Sequence, residues 1–285
     1  MGEVLVPPPG LTHSVSRSPA ASAADLKGCD RWLQEEEEEE EGGEGEGEMS
    51  RSVVWPRVIL FGDSITQGSF ETGGWGAAIA NRLVRQCDVL NRGLSGYNTK
   101  WALSVLPRII PQPTSQEHIA AVTVFFGAND SALKEVNLAQ HVPLPEYTEN
   151  LKRMINYLKS IGVSEEKVIM VTPPPLDDSA WEKACIAKGG KLDRHNPVVK
   201  QYALACVKVA AECGTDVLDL WTLMQKDKQD ISSHLSDGLH LSEEGSVFLE
   251  THLWPLLQQK VASLPLLLPH WSNIDHLNPK ASLLT

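Results

Sequence analysis

The stretch RVILFGDSIT, residues 57–66, joins a short apolar run to an abrupt polar turn. Residues 57–61 are almost continuously apolar, which is typical of a buried strand in a parallel sheet. The run ends at Gly62-Asp63-Ser64, residue types that favour a turn over further extension of the strand. The stretch therefore predicts a buried first strand that leads directly into a sharp turn carrying Ser64.

The same alternation of a short apolar run and a longer helical pattern repeats along the chain. Further strands are predicted at residues 88–91, 119–126, 167–172 and 216–220. Helical spacing of apolar residues predicts helices at residues 75–86, 99–110, 146–161, 197–213 and 243–261. Strands that alternate with helices of this length indicate a parallel sheet with helices on both faces, and five such units form one three-layer α/β domain.

Residues 1–52 differ from the rest of the chain in composition. They lack hydrophobic periodicity and end in a glutamate run followed by Gly-Glu repeats, a composition that cannot offset the entropy of ordering. We predict a disordered acidic extension at residues 1–52, a folded domain at residues 53–265 and a C-terminal tail at residues 266–285. A docking role for the acidic run is the alternative, although charge runs are usually solvated.

Charge and cysteine usage narrow the range of partners and compartments. Thirteen acidic residues against three basic ones give residues 1–50 a net charge of −10 out of the total of −12, so the remaining chain is nearly neutral. This balance argues against a nucleic-acid partner and against steering of a charged substrate. The five cysteines are scattered without C-x-x-C spacing, which disfavours a disulfide framework and a zinc site. No secretory signal or membrane-spanning stretch is apparent, so the sequence predicts a cytoplasmic protein without a transmembrane segment.

Polar or glycine-bearing segments follow four of the five predicted strands. They are residues 62–64, 91–99, 127–131 and 236–242. In an open parallel sheet, ligands bind beyond the carboxyl ends of the strands. Segments that lie far apart in the chain are therefore expected to converge on one edge of the sheet.

The convergent segments contain the groups that acyl transfer requires, namely a nucleophile, a base, a group that orients the base and donors for an oxyanion. Ser64 can act as the nucleophile and His240 as the base, with Asp237 three residues earlier to orient the imidazole. Backbone N–H groups of Ser64 and Gly96 and the side-chain amide of Asn129 can donate to the oxyanion. Taken singly, a serine in a turn or a lone histidine is more often structural, so the prediction depends on the combination.

Together the four segments resemble the sequence blocks of the SGNH (GDSL) hydrolases. The resemblance covers about three quarters of the chain, from residue 55 to about residue 270. It implies a flavodoxin-like α/β/α fold with a five-stranded parallel sheet, in which residues 53–265 are the SGNH hydrolase domain. It also implies a serine esterase that needs no metal and no cofactor. The implied site residues are Ser64 as nucleophile, Asp237 and His240 to complete the triad, and Gly96 and Asn129 to complete the oxyanion hole.

The implied substrates are small, neutral carboxylic esters with a short acyl chain of the acetate type. Phe70, Tyr97 and Asn98 lie close to the sequence blocks and are candidates for the walls of the substrate pocket. Trp75 and Trp101 are also near the blocks, but they fit the apolar faces of predicted helices equally well.

Alternatives of more than one class remain open. A non-catalytic binding module could share this fold, and a hydrolase of longer acyl esters or of thioesters could share the site. The Gly-x-Ser-x-Gly elbow of the α/β-hydrolases is absent, as are a phosphate-binding loop and a dinucleotide-binding fingerprint. Residues 176–196 form a long connection that could cover the site. The sequence leaves the oligomeric state open.

Overall fold

The predicted strands form a five-stranded parallel sheet in the structure, a computed structural model that describes residues 53–113, 118–226 and 230–284. The strands are β1 (Arg57–Gly62), β2 (Asp88–Gly93), β3 (Ile119–Phe125), β4 (Val168–Val171) and β5 (Asp216–Leu218). Their order in the sheet is β2-β1-β3-β4-β5, and every neighbouring pair is parallel. This is the order of flavodoxin-like folds, so the predicted fold class is confirmed.

Strand β1 is apolar from Val58 to Phe61 because both of its faces are covered. Val58 and Leu60 pack into the apolar cluster on one face of the sheet, whereas Ile59 and Phe61 pack into the cluster on the other face. Each of these four side chains is at most 5% exposed. Successive side chains of a strand point to opposite faces, so a strand buried on both sides loses the usual polar alternation.

Helices lie on both faces of the sheet. They are α1 (Ser64–Gln67), α2 (Trp75–Arg82), α3 (Thr99–Ile109), α4 (Leu144–Ser160), α5 (Asp178–Ala187), α6 (Asn196–Cys213), α7 (Leu220–Met224), α8 (Glu243–Val261) and α9 (Pro279–Leu283). Side chains of α2 and α8 belong to the cluster that contains Val58 and Leu60, whereas side chains of α3, α4 and α6 belong to the other cluster. The predicted three-layer arrangement is therefore confirmed.

Helix α2 ends four residues earlier than the apolar spacing predicts. Residues 83–86 form a turn instead, and Arg85 has a positive φ of 64°. The side chain of Gln86 donates hydrogen bonds to the carbonyl oxygens of Val261 and Leu264, over 3.1 and 2.8 Å. This contact with the end of α8 turns the chain toward β2, so a tertiary contact overrides the local helical pattern.

Helix α5 lies within the long connection predicted at residues 176–196. The side chain of Asp177 caps it by accepting the backbone N–H groups of Ser179 and Ala180, over 3.1 and 3.0 Å. The helix is short and buries only a narrow face, so its sequence carries little periodic signal. The connection after β4 is therefore structured rather than an extended loop.

The two ends of the chain bear on the predicted domain boundaries. Residues 1–52, predicted as a disordered extension, lie outside the described residues. Beyond α8 the chain returns to the end of α2, where the backbone N–H of Leu267 donates to the carbonyl oxygen of Arg85 over 2.7 Å. The boundary placed at residue 265 stays a prediction.

Candidate active site

Ser64 occupies the first position of α1, directly beyond the end of β1. The buried side chain of Asp63 caps this helix by accepting the backbone N–H of Ile65 over 3.0 Å. Gly93 at the end of β2 allows α1 to pack closely, because a Cβ atom there would lie 1.9 Å from the backbone nitrogen of Gln67. The turn therefore holds Ser64 at the carboxyl edge of the sheet.

His240 lies within hydrogen-bond distance of Ser64. Its Nε2 atom is 3.0 Å from Ser64 Oγ, and its Nδ1 atom is 2.9 Å from Asp237 Oδ2. The other carboxylate oxygen of Asp237 accepts the backbone N–H groups of Leu239 and His240, over 3.0 and 2.9 Å. In this arrangement a carboxylate orients the imidazole, and the imidazole can accept the serine proton.

The carboxylate of Asp237 is held in its ionised form. Burial alone would raise its pKa, but the hydrogen bonds from the His240 ring and from the backbone N–H groups of His240 and Leu239 outweigh burial and hold the pKa well below its usual range. An ionised Asp237 can only accept, so it selects the imidazole tautomer that carries hydrogen on Nδ1. The lone pair on Nε2 is then directed at Ser64.

One short loop carries both Asp237 and His240. An antiparallel bridge between Leu235 and Leu241 closes the loop. Within it, the backbone N–H of Ser236 donates to the carbonyl oxygen of His240 over 2.8 Å. The relative position of Asp237 and His240 is thus set by contacts inside the loop.

Gly96 and Asn129 border a cavity that also contains Ser64. Gly96 has a φ of 79°, a left-handed conformation that glycine adopts without a Cβ clash. The Asn129 side chain donates one N–H to the Tyr97 carbonyl over 2.9 Å, while its Oδ1 accepts from Arg194 over 3.0 Å. The second N–H of the amide, together with the backbone N–H groups of Ser64 and Gly96, can serve an oxyanion.

Two buried carboxyl groups adjoin these residues in the chain, Asp63 beside Ser64 and Asp130 beside Asn129. Burial raises the pKa of Asp63 to about 6 and the pKa of Asp130 to about 7. Asp130 accepts hydrogen bonds from the backbone N–H and the hydroxyl of Thr99, which lower its pKa without compensating for the loss of water. Each of these two carboxyl groups is therefore harder to ionise in the folded protein than in the unfolded chain.

Two cavities of about 310 Å³ each share Ser64, Ser95 and His240. The first is mostly polar, and its other lining residues are Ile65, Gln67, Gly68, Ser69, Glu71, Trp75, Ser236, Leu241 and Ser246. The second is also lined by Gly96, Asn129, Gln140, Trp181, Cys185, Lys188, Gly190, Lys191, Asp193, Arg194 and Leu239. Because Ser64 and His240 border both cavities, a ligand that contacts them can extend into either one.

The comparison with protein families decides how this geometry is classified. Residues 60–247 match the GDSL-like Lipase/Acylhydrolase family, and the match spans all five residues of the predicted site. The chain belongs to this family. The resemblance to the SGNH (GDSL) hydrolases that the sequence blocks indicated is thereby confirmed.

Individual members of the GDSL family extend the match along the chain. The isoamyl acetate-hydrolyzing esterase 1 homolog of Rattus norvegicus is 63% identical over 233 residues, which cover 82% of this chain and 94% of the relative. The homolog of Homo sapiens is 61% identical with the same coverage. The solved structure of the lipase/acylhydrolase from Enterococcus faecalis has a TM-score of 0.56 at 25% identity, covering 74% of this chain and 98% of that one. The prediction of a carboxylic ester hydrolase is confirmed.

The three residues predicted for the substrate pocket do not line either cavity of this GDSL hydrolase. Phe70 is 44% exposed. Tyr97 supplies its carbonyl to Asn129 and packs edge-on against Trp101, with 5.8 Å between ring centroids. Asn98 is buried and caps α3 by accepting the backbone N–H of Trp101 over 3.0 Å. The described contacts of Tyr97 and Asn98 are thus structural, and a place for these residues in the substrate pocket stays a prediction.

The connection after β4 supplies site residues that the sequence did not reveal. Trp181 on α5 packs edge-on against the His240 ring, with 6.1 Å between ring centroids. Arg194, near the end of the connection, is buried and donates to Asn129. This connection leaves the carboxyl end of β4, as the four recognised segments leave the other strands. Ligands bind beyond the carboxyl ends of the strands in a parallel sheet, and applying this rule to β4 would have pointed to this connection.

The remaining predictions for this chain concern metal binding, cofactors, membrane insertion and location. Within residues 53–113, 118–226 and 230–284, no group of three or more His, Cys, Asp or Glu side chains is placed to hold a metal ion. No helix in that part of the chain combines the length and the apolar character needed to cross a bilayer. The cytoplasmic location and the absence of a cofactor stay predictions.

Proposed function

We propose that the chain is a serine esterase that hydrolyses small carboxylic esters of the acetate type through an acyl-enzyme on Ser64. The observation that carries the proposal is the pair of hydrogen bonds centred on His240, 3.0 Å to Ser64 Oγ and 2.9 Å to Asp237 Oδ2. Relatives that are more than 60% identical and are named for the hydrolysis of isoamyl acetate support the substrate class.

Acylation begins when His240 Nε2 accepts the proton of the Ser64 hydroxyl. The Ser64 oxygen forms a bond to the ester carbonyl carbon, and the carbonyl π electrons move onto the carbonyl oxygen. The N–H groups of Ser64, Gly96 and Asn129 stabilise the resulting oxyanion. Asp237 stabilises the imidazolium that His240 becomes, without taking its proton.

Collapse of this intermediate breaks the bond to the alcohol oxygen, which takes the proton from His240 as it leaves. The acyl group then remains on Ser64. A water molecule gives a proton to His240 Nε2 and attacks the acyl carbon, forming a second oxyanion in the same site. Expulsion of the Ser64 oxygen, protonated again by His240, releases the carboxylic acid and restores the resting enzyme.

The size of the cavities supports a small substrate. A volume of about 310 Å³ lies at the lower end of the range for small-molecule sites. An acetyl group and a short alcohol can occupy such volumes, whereas a long acyl chain would have to extend into solvent. The polar lining of the first cavity, with serine side chains and Gln67, further favours a compact polar ester over a lipid chain.

A panel of p-nitrophenyl esters with acyl chains of two to twelve carbons tests the proposal. We expect the largest kcat/KM for the shortest chains. Ser64→Ala should lower kcat by a factor on the order of 10⁴ to 10⁶, because it removes the nucleophile. Ser104→Ala is the matched control, since Ser104 is an exposed serine on α3 whose hydroxyl donates to the Lys100 carbonyl and which lines neither cavity. Its kcat should match that of the wild type.

A fluorophosphonate probe provides an independent measurement on the folded protein. It should label the wild type at Ser64 and should leave Ser64→Ala unlabelled. Labelling at another residue would overturn the assignment of Ser64, and the absence of both labelling and hydrolysis in a folded sample would overturn the proposal in favour of a binding module. Faster turnover of the longest esters, or of thioesters, would instead replace the acetate-type substrate.

A further inference from the structure

The guanidinium group of Arg194 is buried beside the second cavity, where it makes hydrogen bonds in three directions. Arg194 is 2% exposed. Its Nε donates to the Ala128 carbonyl over 2.7 Å, and its Nη1 donates to both carboxylate oxygens of Asp193 over 2.7 Å. Its Nη2 donates to Asn129 Oδ1 over 3.0 Å and to Gln140 Oε1 over 2.6 Å. A group this well coordinated fixes the orientation of every side chain that it contacts.

The contact with Asn129 determines which way its amide group faces. A guanidinium has only donors, so the Asn129 atom beside Arg194 must be the oxygen. The amide nitrogen then faces the opposite direction, where one N–H reaches the Tyr97 carbonyl over 2.9 Å. The second N–H remains available to a ligand. Without the guanidinium, a flipped amide would present an oxygen acceptor to the oxyanion and repel it.

The contact with Gln140 extends the same effect to the backbone of Gly96. Because Arg194 donates to Gln140 Oε1, the amide nitrogen of Gln140 must face away from Arg194. That nitrogen donates to the Gly96 carbonyl over 3.0 Å. Glycine has more backbone freedom than any other residue, so this hydrogen bond restricts the orientation of the Gly96 peptide. One guanidinium therefore holds two of the three oxyanion donors.

The ion pair with Asp193 keeps the buried charge of Arg194 tolerable. Asp193 also accepts the side-chain N–H groups of Asn137 and Trp181, each over 2.8 Å. A buried ion pair is stable only when its remaining hydrogen-bonding capacity is satisfied, and here several neutral partners satisfy it. Such a network adds little to stability, but it gives the guanidinium a single position.

We propose that Arg194 is the positioning residue of the oxyanion hole, acting through Asn129 directly and through Gln140 on Gly96. The inference rests on the proposed esterase function. Arg194 makes its described hydrogen bonds to Ala128, Asp193, Asn129 and Gln140. Its effect is to align donors before the transition state, so its loss should appear in kcat and leave KM nearly unchanged.

Arg194→Lys is the main test, because it keeps the charge beside Asp193 but loses the planar fork that bonds to several partners at once. With p-nitrophenyl acetate we expect kcat to fall about 10- to 100-fold while KM changes less than about threefold. Arg82→Lys is the matched control. Arg82 pairs with Glu250 over 2.5 Å and lines neither cavity, so this variant should keep the wild-type kcat.

A double-mutant cycle with Asn129→Ala separates positioning from a general structural role. In the Asn129→Ala background, Arg194→Lys should lower kcat only about threefold, because the amide that Arg194 orients is gone and only the Gln140 branch remains. Equal fold losses in both backgrounds would overturn the inference. A raised KM with unchanged kcat would overturn it as well. If Arg194→Lys fails to fold, Gln140→Met takes its place as the test of the inference. We expect its kcat to fall about 3- to 10-fold with an unchanged melting temperature.

The same measurements distinguish a failure of this inference from a failure of the proposed function. Hydrolysis that depends on Ser64 and on Asn129, but proceeds at full kcat in Arg194→Lys and in Gln140→Met, would refute the role of Arg194 alone. Absence of hydrolysis in the wild type would refute the esterase function and the role of Arg194 together.

Discussion

Replacing Asp237 by asparagine changes a single hydrogen-bonding atom of the triad. Asparagine has the same shape, and its Oδ1 can still accept the backbone N–H groups of Leu239 and His240. The difference lies at the second position, where an NH₂ group would replace the carboxylate oxygen that is 2.9 Å from His240 Nδ1. An NH₂ group can only donate, so Nδ1 would become the acceptor and the ring proton would move to Nε2. His240 would then face Ser64 with a proton and could not act as its base.

The expected loss follows from this change of tautomer. We expect kcat for p-nitrophenyl acetate to fall by a factor on the order of 10⁴, which corresponds to about 5 kcal/mol in the activation barrier. The loss should stay smaller than that of Ser64→Ala, which removes the nucleophile itself. Two of the three hydrogen bonds of the side chain survive. The free energy of unfolding should therefore change by less than about 2 kcal/mol in urea titrations.

Asp178→Asn is the matched control for this prediction. Asp178 also pairs with a histidine, His195, over 3.0 Å, but it lines neither cavity. Its kcat should equal that of the wild type. If Asp237→Asn retained more than a tenth of the wild-type kcat in a folded protein, the tautomer argument would be wrong, and the assignment of His240 as general base would lose its main support.

Two further predictions concern stability and the N-terminal segment. Burial raises the pKa of Asp130 to about 7 from its ordinary value of 3.8, so between those pH values the unfolded chain binds fewer protons than the folded one, and stability falls as pH rises. From pH 4 to pH 7, the free energy of unfolding measured by urea titration should fall more for the wild type than for Asp130→Asn. The difference between the two falls should reach up to about 4 kcal/mol, and parallel curves for the two proteins would contradict this. Deleting residues 1–48 should leave kcat and KM for p-nitrophenyl acetate within about twofold of wild type, since the family match begins at residue 60. A tenfold loss would contradict the reading of residues 1–52 as a non-catalytic extension.

The sequence predicts most of the fold because the apolar runs are local and strong. The run at residues 57–61 predicts β1 well. A strand that is buried on both faces is apolar without alternation, which distinguishes it from a strand with one exposed face. Helix ends are harder to predict. The helix expected over residues 75–86 stops at Arg82 because Gln86 bonds to the end of α8, a contact about 175 positions away in the chain that no local pattern contains.

The site shows the same division between local and distant signals. Ser64 lies in a short segment beyond a strand, and Asp237 and His240 lie together in one short loop. In both segments the residue types and their spacing in the sequence predict the site. Arg194 has no such signal, because its role depends on the inward orientation of one side chain toward Asn129, 65 positions earlier. The capping contact of Asn98 is likewise not predictable, since residue type alone does not say that an asparagine will cap α3.

The loop that the Leu235–Leu241 bridge closes is a self-contained structural unit. The bonds that join Asp237 to His240 all lie within it, so contacts inside the loop set the 2.9 Å between Asp237 Oδ2 and His240 Nδ1. Only the 3.0 Å between His240 Nε2 and Ser64 Oγ depends on how the loop is seated on the sheet. Two of the three side chains of the proposed triad thus belong to one short unit of the chain. Placing this acid–base pair on another parallel sheet would require one further interatomic distance to a serine at a strand end, while the oxyanion donors would have to come from other strand ends.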